Sequence, residues 1–516
     1  KIDSLIVGNY PNVHNSEDAQ FKLYNGINSS RRSESVNNLL KELAKKFGQP
    51  LEEPRRTFGG GLVISPISEK DADKMSDEDW LKAISVHNLD DHTFTLDGTN
   101  PVGGALELSR VLEKQVNRNP TRFAALAQKF SDDSNVYYFD AILRGIENTD
   151  LNIKLVLDVC RRCHNLQNRP CGRWICDLIR KNAENDLPDE ALDIVAWYAT
   201  EDPDPEYEKW RPDGPDKIVY YGGDIISSGL NSVRGRAADA MASLVFYDKA
   251  RIIFLKPAIE KMVADPSIEV RSWVAMMLIS VLRYEGDYAV KLFKDLCKTE
   301  DILLSTHHVE NFLSYALQTH FSLLKPILKK MMVSQETEVV KAGARKICIA
   351  SFEIEEARQL MESCVGGTED LRFGAAEVFS TNVKTDPDFC KDKLIKFFSD
   401  QNKQVRKQAA SCFRHLVGED LGKFIDLVEA FIESPAYDTD AEDLIWALDK
   451  PTVKLPEITY RVCKRFIDST ILANNRNFGL EIDICQLILR IYSQNKESSM
   501  RQKCLDLIDI MIERGV

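Results

Sequence analysis

No apolar run in this chain approaches the roughly 18 residues that read as a membrane-spanning helix, and no signal peptide opens it. No Gly-rich loop is followed by Lys-Ser or Lys-Thr at phosphate-binding spacing, so no loop offers a backbone cradle and a β/γ-phosphate charge together. Basic excess is missing too. With 67 Lys and Arg against 80 Asp and Glu the net charge is −13, which gives no general attraction to phosphate backbones. Strand-like alternation is scarce. The 12 cysteines are scattered, and Cys348, Cys412, Cys463, Cys485 and Cys504 fall on apolar helix faces. That usage fits reduced, buried thiols and a cytoplasmic setting better than a disulfide framework.

What is present is helix after helix. The 516 residues, 44% of them apolar, suffice for two to four domains or one long solenoid. Residues 1–57 are polar and weakly periodic, a tether or lid with one short helix near Ser35–Phe47. The opening "KIDSLIVGNYPNVHN" does not read as a natural start, and we expect a piece of a longer protein. Residues 58–200 form a helical region. Gly59, Gly60 and Gly61 read as a turn. Ser76 and Asp79 make a capping box, with Met75 and Trp80 as its hydrophobic staple. Asn119 and Pro120 start another helix. Residues 201–228, acidic and rich in Pro and Gly, break the pattern as a loop.

Residues 229–516 carry a repeat. Arg234 follows Val233 and precedes Ala237 and Ala238, with Ser228 six positions earlier. The frame returns around Arg271, Val340, Arg372, Arg406 and Arg501, with Asp265, Ser334, Gly366, Asp400 and Asn495 six before. Steps between the first five anchors are 37, 69, 32 and 34 residues. The long step holds a worn copy at "STHHVENFLSYAL", and another lies at "AEDLIWALDK". Such a period with two helices per unit marks a helical solenoid. The residue six before the anchor suits an N-cap. The small residues three and four after it share a face with the preceding apolar one, which allows close helix approach. Ser232 as a nucleophile finds no acid or histidine at supporting spacing. The fold expected is therefore all-α, an α-solenoid of HEAT-like repeats preceded by an irregular helical region.

In HEAT-type arrays the acid and the basic residue pair between adjacent units. Asp265 with Arg271 and Asp400 with Arg406 keep the pattern, whereas Val340 and Glu310 depart from it. The arginines thus read first as a structural ladder. The sharper alternative is that Arg234, Arg236, Arg271, Arg372 and Arg406 line one surface and bind an acidic partner. Cys160, Cys163, Cys171 and Cys176 have a spacing that zinc could use, and Cys160 to His164 has the c-type haem spacing. Leu155, Val159, Cys160 and Cys163 equally form an ordinary apolar helix stripe, so no metal or cofactor is assigned. "HNLDDH", residues 87–92, reads as a solvated turn.

The order "GGGLVISPI", "MSDEDWLKAI", "NPTRFAALAQKF", "YYFDAILRGI", "RPCGRWICDLI" and "GLNSVRGRAADAM" resembles the C-terminal helical region of large bacterial STAND or NACHT-like NTPases linked to antiviral defence. The resemblance implies a non-catalytic sensor module that recognises a protein partner, with nucleotide binding upstream. The alternative function is a HEAT-like nucleic-acid-binding protein or DNA glycosylase-type enzyme. Such a protein needs a basic face with aromatic residues. Trp273 beside Arg271 is its only seed, and the acidic charge counts against it.

Overall fold

The structure, a computed structural model, describes residues 32–47, 63–90, 101–206, 224–416, 418–450, 454–468 and 478–513, together with Phe21, Tyr24 and Ser29. The described residues are all-helical. Their β contact is one isolated parallel bridge between Ile64 and Val102. Packing divides the chain into two units, residues 1–66 with 90–107, and residues 67–89 with 108–516. In the first, α1 (Glu34–Phe47) turns Val36, Leu40 and Leu43 toward Phe21 and Tyr24. The three apolar positions recur at i, i+4 and i+7, one face of a helix.

The second unit starts with α2 (Glu69–Ala72) and α3 (Asp77–Val86). The expected capping box is there: Ser76 Oγ accepts from Asp79 N at 3.1 Å, and Asp79 Oδ2 accepts from Ser76 N at 3.0 Å. Trp80 is fully buried and meets Phe123 edge-on. Then follow α4 (Ala105–Arg118), which begins in the first unit, α5 (Pro120–Ala127), α6 (Val136–Ile146), α7 (Ile153–His164), α8 (Gly172–Lys181) and α9 (Asp189–Thr200). Residues 207–223 of the expected loop lie outside the described residues, as do Gly59, Gly60 and Gly61 and the last two residues of "HNLDDH". Residues 225–231, expected in part as loop, form α10 (Ile225–Asn231).

From there the order is α11 (Val233–Tyr247), α12 (Arg251–Val263), α13 (Ile268–Leu282), α14 (Gly286–Leu296), α15 (His307–Met332), α16 (Thr337–Ala350), α17 (Glu355–Val365), α18 (Glu369–Asn382), α19 (Pro387–Phe398) and α20 (Lys403–Ala410). The chain ends with α21 (Ile425–Ile432), α22 (Tyr437–Asp440), α23 (Glu442–Leu448), α24 (Pro456–Asp468), α25 (Phe478–Gln494) and α26 (Ser498–Glu513). The helices stack in two rows. One runs α8, α11, α13, the first half of α15, α16, α18 and α20. The other includes α9, α12, α14 and the second half of α15. α15 is two helices joined at His320, whose φ of −128° and ψ of 27° break the helical path. The worn repeat copy, residues 305–317, falls at the start and in the first half of this helix, which packs between α13 and α16.

Small residues set the row's spacing. Ala237, Ala238, Ala375, Ala376, Ala409 and Ala410 are all buried. A Cβ on Gly374 would lie 2.5 Å from the Lys341 carbonyl oxygen, so α16 and α18 cross at backbone distance. The expected N-cap position needs correction. Caps fall four residues before the anchor at Ser267 and Asn402, and two before it at Ser232, each accepting from backbone N–H groups of its helix. The residue six before the anchor has a different task at Asp265 and Asp400, where it binds the repeat's loop.

Candidate interaction surface

At both aspartates Oδ1 accepts a backbone N–H two residues on, from Ser267 and Asn402, at 2.8 Å. This folds the loop into an Asx turn. The same carboxylates take the arginine of the preceding unit. Arg234 donates Nε and Nη2 to Asp265 at 2.8 and 3.2 Å, and Arg372 donates likewise to Asp400 at 2.6 and 3.0 Å. These are bidentate, charge-assisted pairs. Asp265 and Asp400 thus pair with the arginine of the adjacent unit, as expected of a HEAT-type array, and not with Arg271 and Arg406 of their own frames. Arg271 reaches only carbonyl oxygens, of Asp265 at 2.6 Å and Leu296 at 3.2 Å. Burial holds its guanidinium below the ordinary value. Arg406 likewise donates to the Asp400 and Gln401 carbonyls.

Arg236 is buried on α11, 3.2 Å from Asp177 of α8 and 3.3 Å from Asp239, with Arg180 3.4 Å from both aspartates. Burial raises the Asp239 carboxyl, partly offset by Arg180 and Arg236. Arg234 and Arg236 therefore face inward, and Arg271, Arg372 and Arg406 are half-buried over repeat loops. Arg234 and Arg372 tie one unit to the next and Arg236 ties α11 to α8, whereas Arg271 and Arg406 brace carbonyl oxygens of their own repeats.

Where Val340 replaces the anchor arginine, the ionic link moves to another face. Arg345 of α16 holds Glu310 of α15 at 2.6 and 3.2 Å and Glu377 of α18 at 2.9 Å. Lys346 donates to Ser314 Oγ at 2.9 Å. Burial presses Lys346 below its ordinary value. Glu310 is pushed up by burial but pulled further down by Arg345 and Lys346. The repeat frame gave no signal for these residues, because they lie five and six positions past the anchor.

Cys160, Cys163, Cys171 and Cys176 are free, buried thiols. Burial pushes the Cys160 and Cys176 thiols up, which disfavours the thiolate that metal ligation needs. Among the described residues no group of three or more His, Cys, Asp or Glu is placed to hold a metal ion. His164 packs edge-on against Trp197 and Tyr198.

The surface that stands out was not read from the sequence. At the C-terminal ends of α11 and α13, Phe246, Tyr247 and Tyr284 are exposed. Arg283 lies 4.5 Å from the Phe246 ring centroid, and Tyr284 Oη donates to the Phe246 carbonyl at 2.8 Å. At the starts of α12 and α14, Ile253 is 78% exposed, Phe254 is exposed, and Lys256 sits 4.9 Å from the Tyr288 ring centroid. These chain positions flank the same α11–α14 turns. Exposed aromatics braced by cations match the composition of protein-interface centres.

Against known proteins, the sequence matches no family model and no curated sequence. Solved structures that overlap it include an engineered protein from the Northeast Structural Genomics Consortium, at 13% identity and a TM-score of 0.29, covering 85% of this chain and 99% of that one. Another is the Pds5–Scc1 complex, described with implications for cohesin function, at 11% identity and a TM-score of 0.21. That overlap covers 96% of this chain and 64% of the other. At these TM-scores neither superposition carries an argument about function. The molecule is a helical-repeat module, and no helix among its described residues is long and apolar enough to cross a membrane.

Proposed function

We propose that this chain is a protein-recognition scaffold that binds its partner through the aromatic and cationic residues around the α11–α14 turns. The observation that carries this is the exposed set Phe246, Tyr247, Ile253 and Tyr284, braced by Arg283. Stacked repeats supply a rigid platform longer than a small ligand needs, and a platform suits a protein surface. Arg234, Arg236 and Arg372 serve by fixing unit against unit, and Arg271 and Arg406 by bracing their own repeat loops. A finer proposal, that the module is the sensing part of a bacterial STAND or NACHT-like NTPase in antiviral defence, is supported by the motif order described above.

The test compares Tyr247→Asp with Lys298→Asp. Lys298 is exposed and pairs only with Asp295 of its own segment. A partner recovered with the wild type should be lost from Tyr247→Asp and kept by Lys298→Asp, with both variants folded. Equal binding by both variants would place recognition elsewhere.

A further inference from the structure

α26 buries Met500, Cys504, Leu507 and Met511 on its inner side, where it packs against α24 and α25. Its outer side is apolar as well. Leu505 and Ile512 are exposed and Ile508 is half-buried, a stripe at i, i+3 and i+7. α25 runs antiparallel to it, with Cys485 Sγ 3.9 Å from Met511 Sδ toward one end and Arg501 4.4 Å from the Tyr492 ring centroid toward the other. This alignment sets the exposed Ile482 and Leu489 of α25 beside Ile512 and Leu505. In a stacked array the outer face of a unit is either covered by its neighbour or polar. Among the described residues the outer face of α25 and α26 is neither.

The charges beside the stripe are ordered against their own helix. Arg501 and Lys503 stand in the first two turns of α26, and Asp509 and Glu513 in the last two. The helix dipole favours the reverse, with acids at the N-terminus and cations at the C-terminus. None of the four has an ion-pair partner among the described residues. Arg501 and Lys503 rest on the Tyr492 and Tyr460 rings, and Asp509 and Glu513 are exposed.

We propose that this face binds a second copy of the same chain, with the two α26 helices antiparallel across a two-fold axis. A two-fold axis across a helix reverses it, so the Arg501 end of each copy meets the Glu513 end of the other. The charge order that is unfavourable within one helix becomes complementary between two, and helix ends of opposite partial charge lie side by side. The same reversal sets Leu505 against Ile508 of the second copy and lays the aliphatic stem of Arg501 along Ile512. The 16 residues of α26 make a helix about 24 Å long. With α25 about 10 Å away, the face covers roughly 500 Å² per copy, so a dimer buries near the ~1,000 Å² at which specific interfaces begin. Association is therefore reversible, and it uses a surface separate from the exposed aromatics of α11 to α14.

The test is sedimentation velocity of the whole chain over a concentration series, at an ionic strength that screens the −13 charge of each copy. The wild type should show a reversible monomer–dimer equilibrium. Leu505→Asp and Ile512→Lys should each weaken it by at least about tenfold, with circular dichroism and melting unchanged. Arg501→Glu alone and Glu513→Arg alone should also weaken it, because each sets like charges opposite one another. Mixing these two variants should restore dimers, since every pair across the mixed interface is then opposite in sign. Both are surface changes, so the test stands even where an apolar variant fails to fold. A wild type that stays monomeric at every concentration overturns the proposal. So does a dimer indifferent to Leu505→Asp and Ile512→Lys, or a mixture of the charge variants that associates no better than either alone. Tyr247→Asp should leave this equilibrium unchanged, so self-association and recognition at the α11–α14 turns can fail separately.

Discussion

Replacing Asp265 with alanine strips the counter-charge from Arg234 where both side chains are almost wholly buried. The two side chains are only 9% and 6% exposed. The guanidinium keeps the Asp202 carbonyl at 2.9 Å and the attraction of the Asp202 carboxyl, but loses its bidentate partner. Breaking one side of a buried pair costs about 3–5 kcal/mol. The same substitution removes the acceptor of the Ser267 N–H, a further loss of about 1 kcal/mol. Arg234→Met with Asp265→Leu should cost far less than Asp265→Ala alone, since an apolar pair of similar volume avoids the orphaned charge. Long repeat arrays lose all-or-none cooperativity, so the loss should be read by hydrogen exchange at α11 and α13 beside global urea unfolding. The control is Asp295→Ala, which breaks the exposed Lys298 pair, an interaction worth about 0–1 kcal/mol. If Asp265→Ala costs no more than this control, the inter-unit ladder is not what holds these repeats in register.

Further outcomes can be checked alongside. Ala376→Leu and Ala410→Leu should each destabilise by roughly 1–3 kcal/mol through overpacking, seen in urea titrations, and unchanged midpoints would mean the small-residue stripe is misplaced. His308, buried against Trp273, is lowered by burial to about 4 from an ordinary value near 6.5. The unfolded chain therefore binds its proton more readily between those values, so stability from this group is present above about pH 6.5 and lost as pH falls toward 4. His308→Asn should flatten that part of the stability profile, and an identical profile would place the acid sensitivity elsewhere. Metal analysis of purified protein should find no stoichiometric zinc, and one zinc per chain would return Cys160, Cys163, Cys171 and Cys176 to consideration.

The repeat was legible because each of its elements is local. An apolar residue, an anchor and two small residues within five positions reveal a helix face wherever they recur, and Ala237, Ala376 and Ala410 lie buried where that face predicts. Pairing between adjacent units was legible, and Arg234 with Asp265, 31 residues on, makes it. Which arginines fall out of the ladder was not, since the frame does not show that Arg271 and Arg406 turn to carbonyl oxygens. The cap was misplaced because Asp265 and Asp400 are good capping residues that instead fold a loop two residues before the true cap. Phe246, Tyr247 and Tyr284 carried no signal in the repeat frame, since sequence does not reveal where the covering row ends and which aromatics stay exposed. α10 was hidden for the opposite reason: "IISSGLN" has weak helix propensity, and only its contacts with α11 and α13 make it a helix.

The most direct measurement of the recognition surface is photo-cross-linking in the native host, with a photoreactive side chain placed singly at Tyr247, Ile253, Tyr284, Lys298 and Glu362. The first three lie on the aromatic surface, and the last two are exposed positions outside it. A single protein captured from Tyr247, Ile253 and Tyr284, and absent from Lys298 and Glu362, is the predicted result. Capture of that protein from Lys298 or Glu362 alone would contradict the assignment.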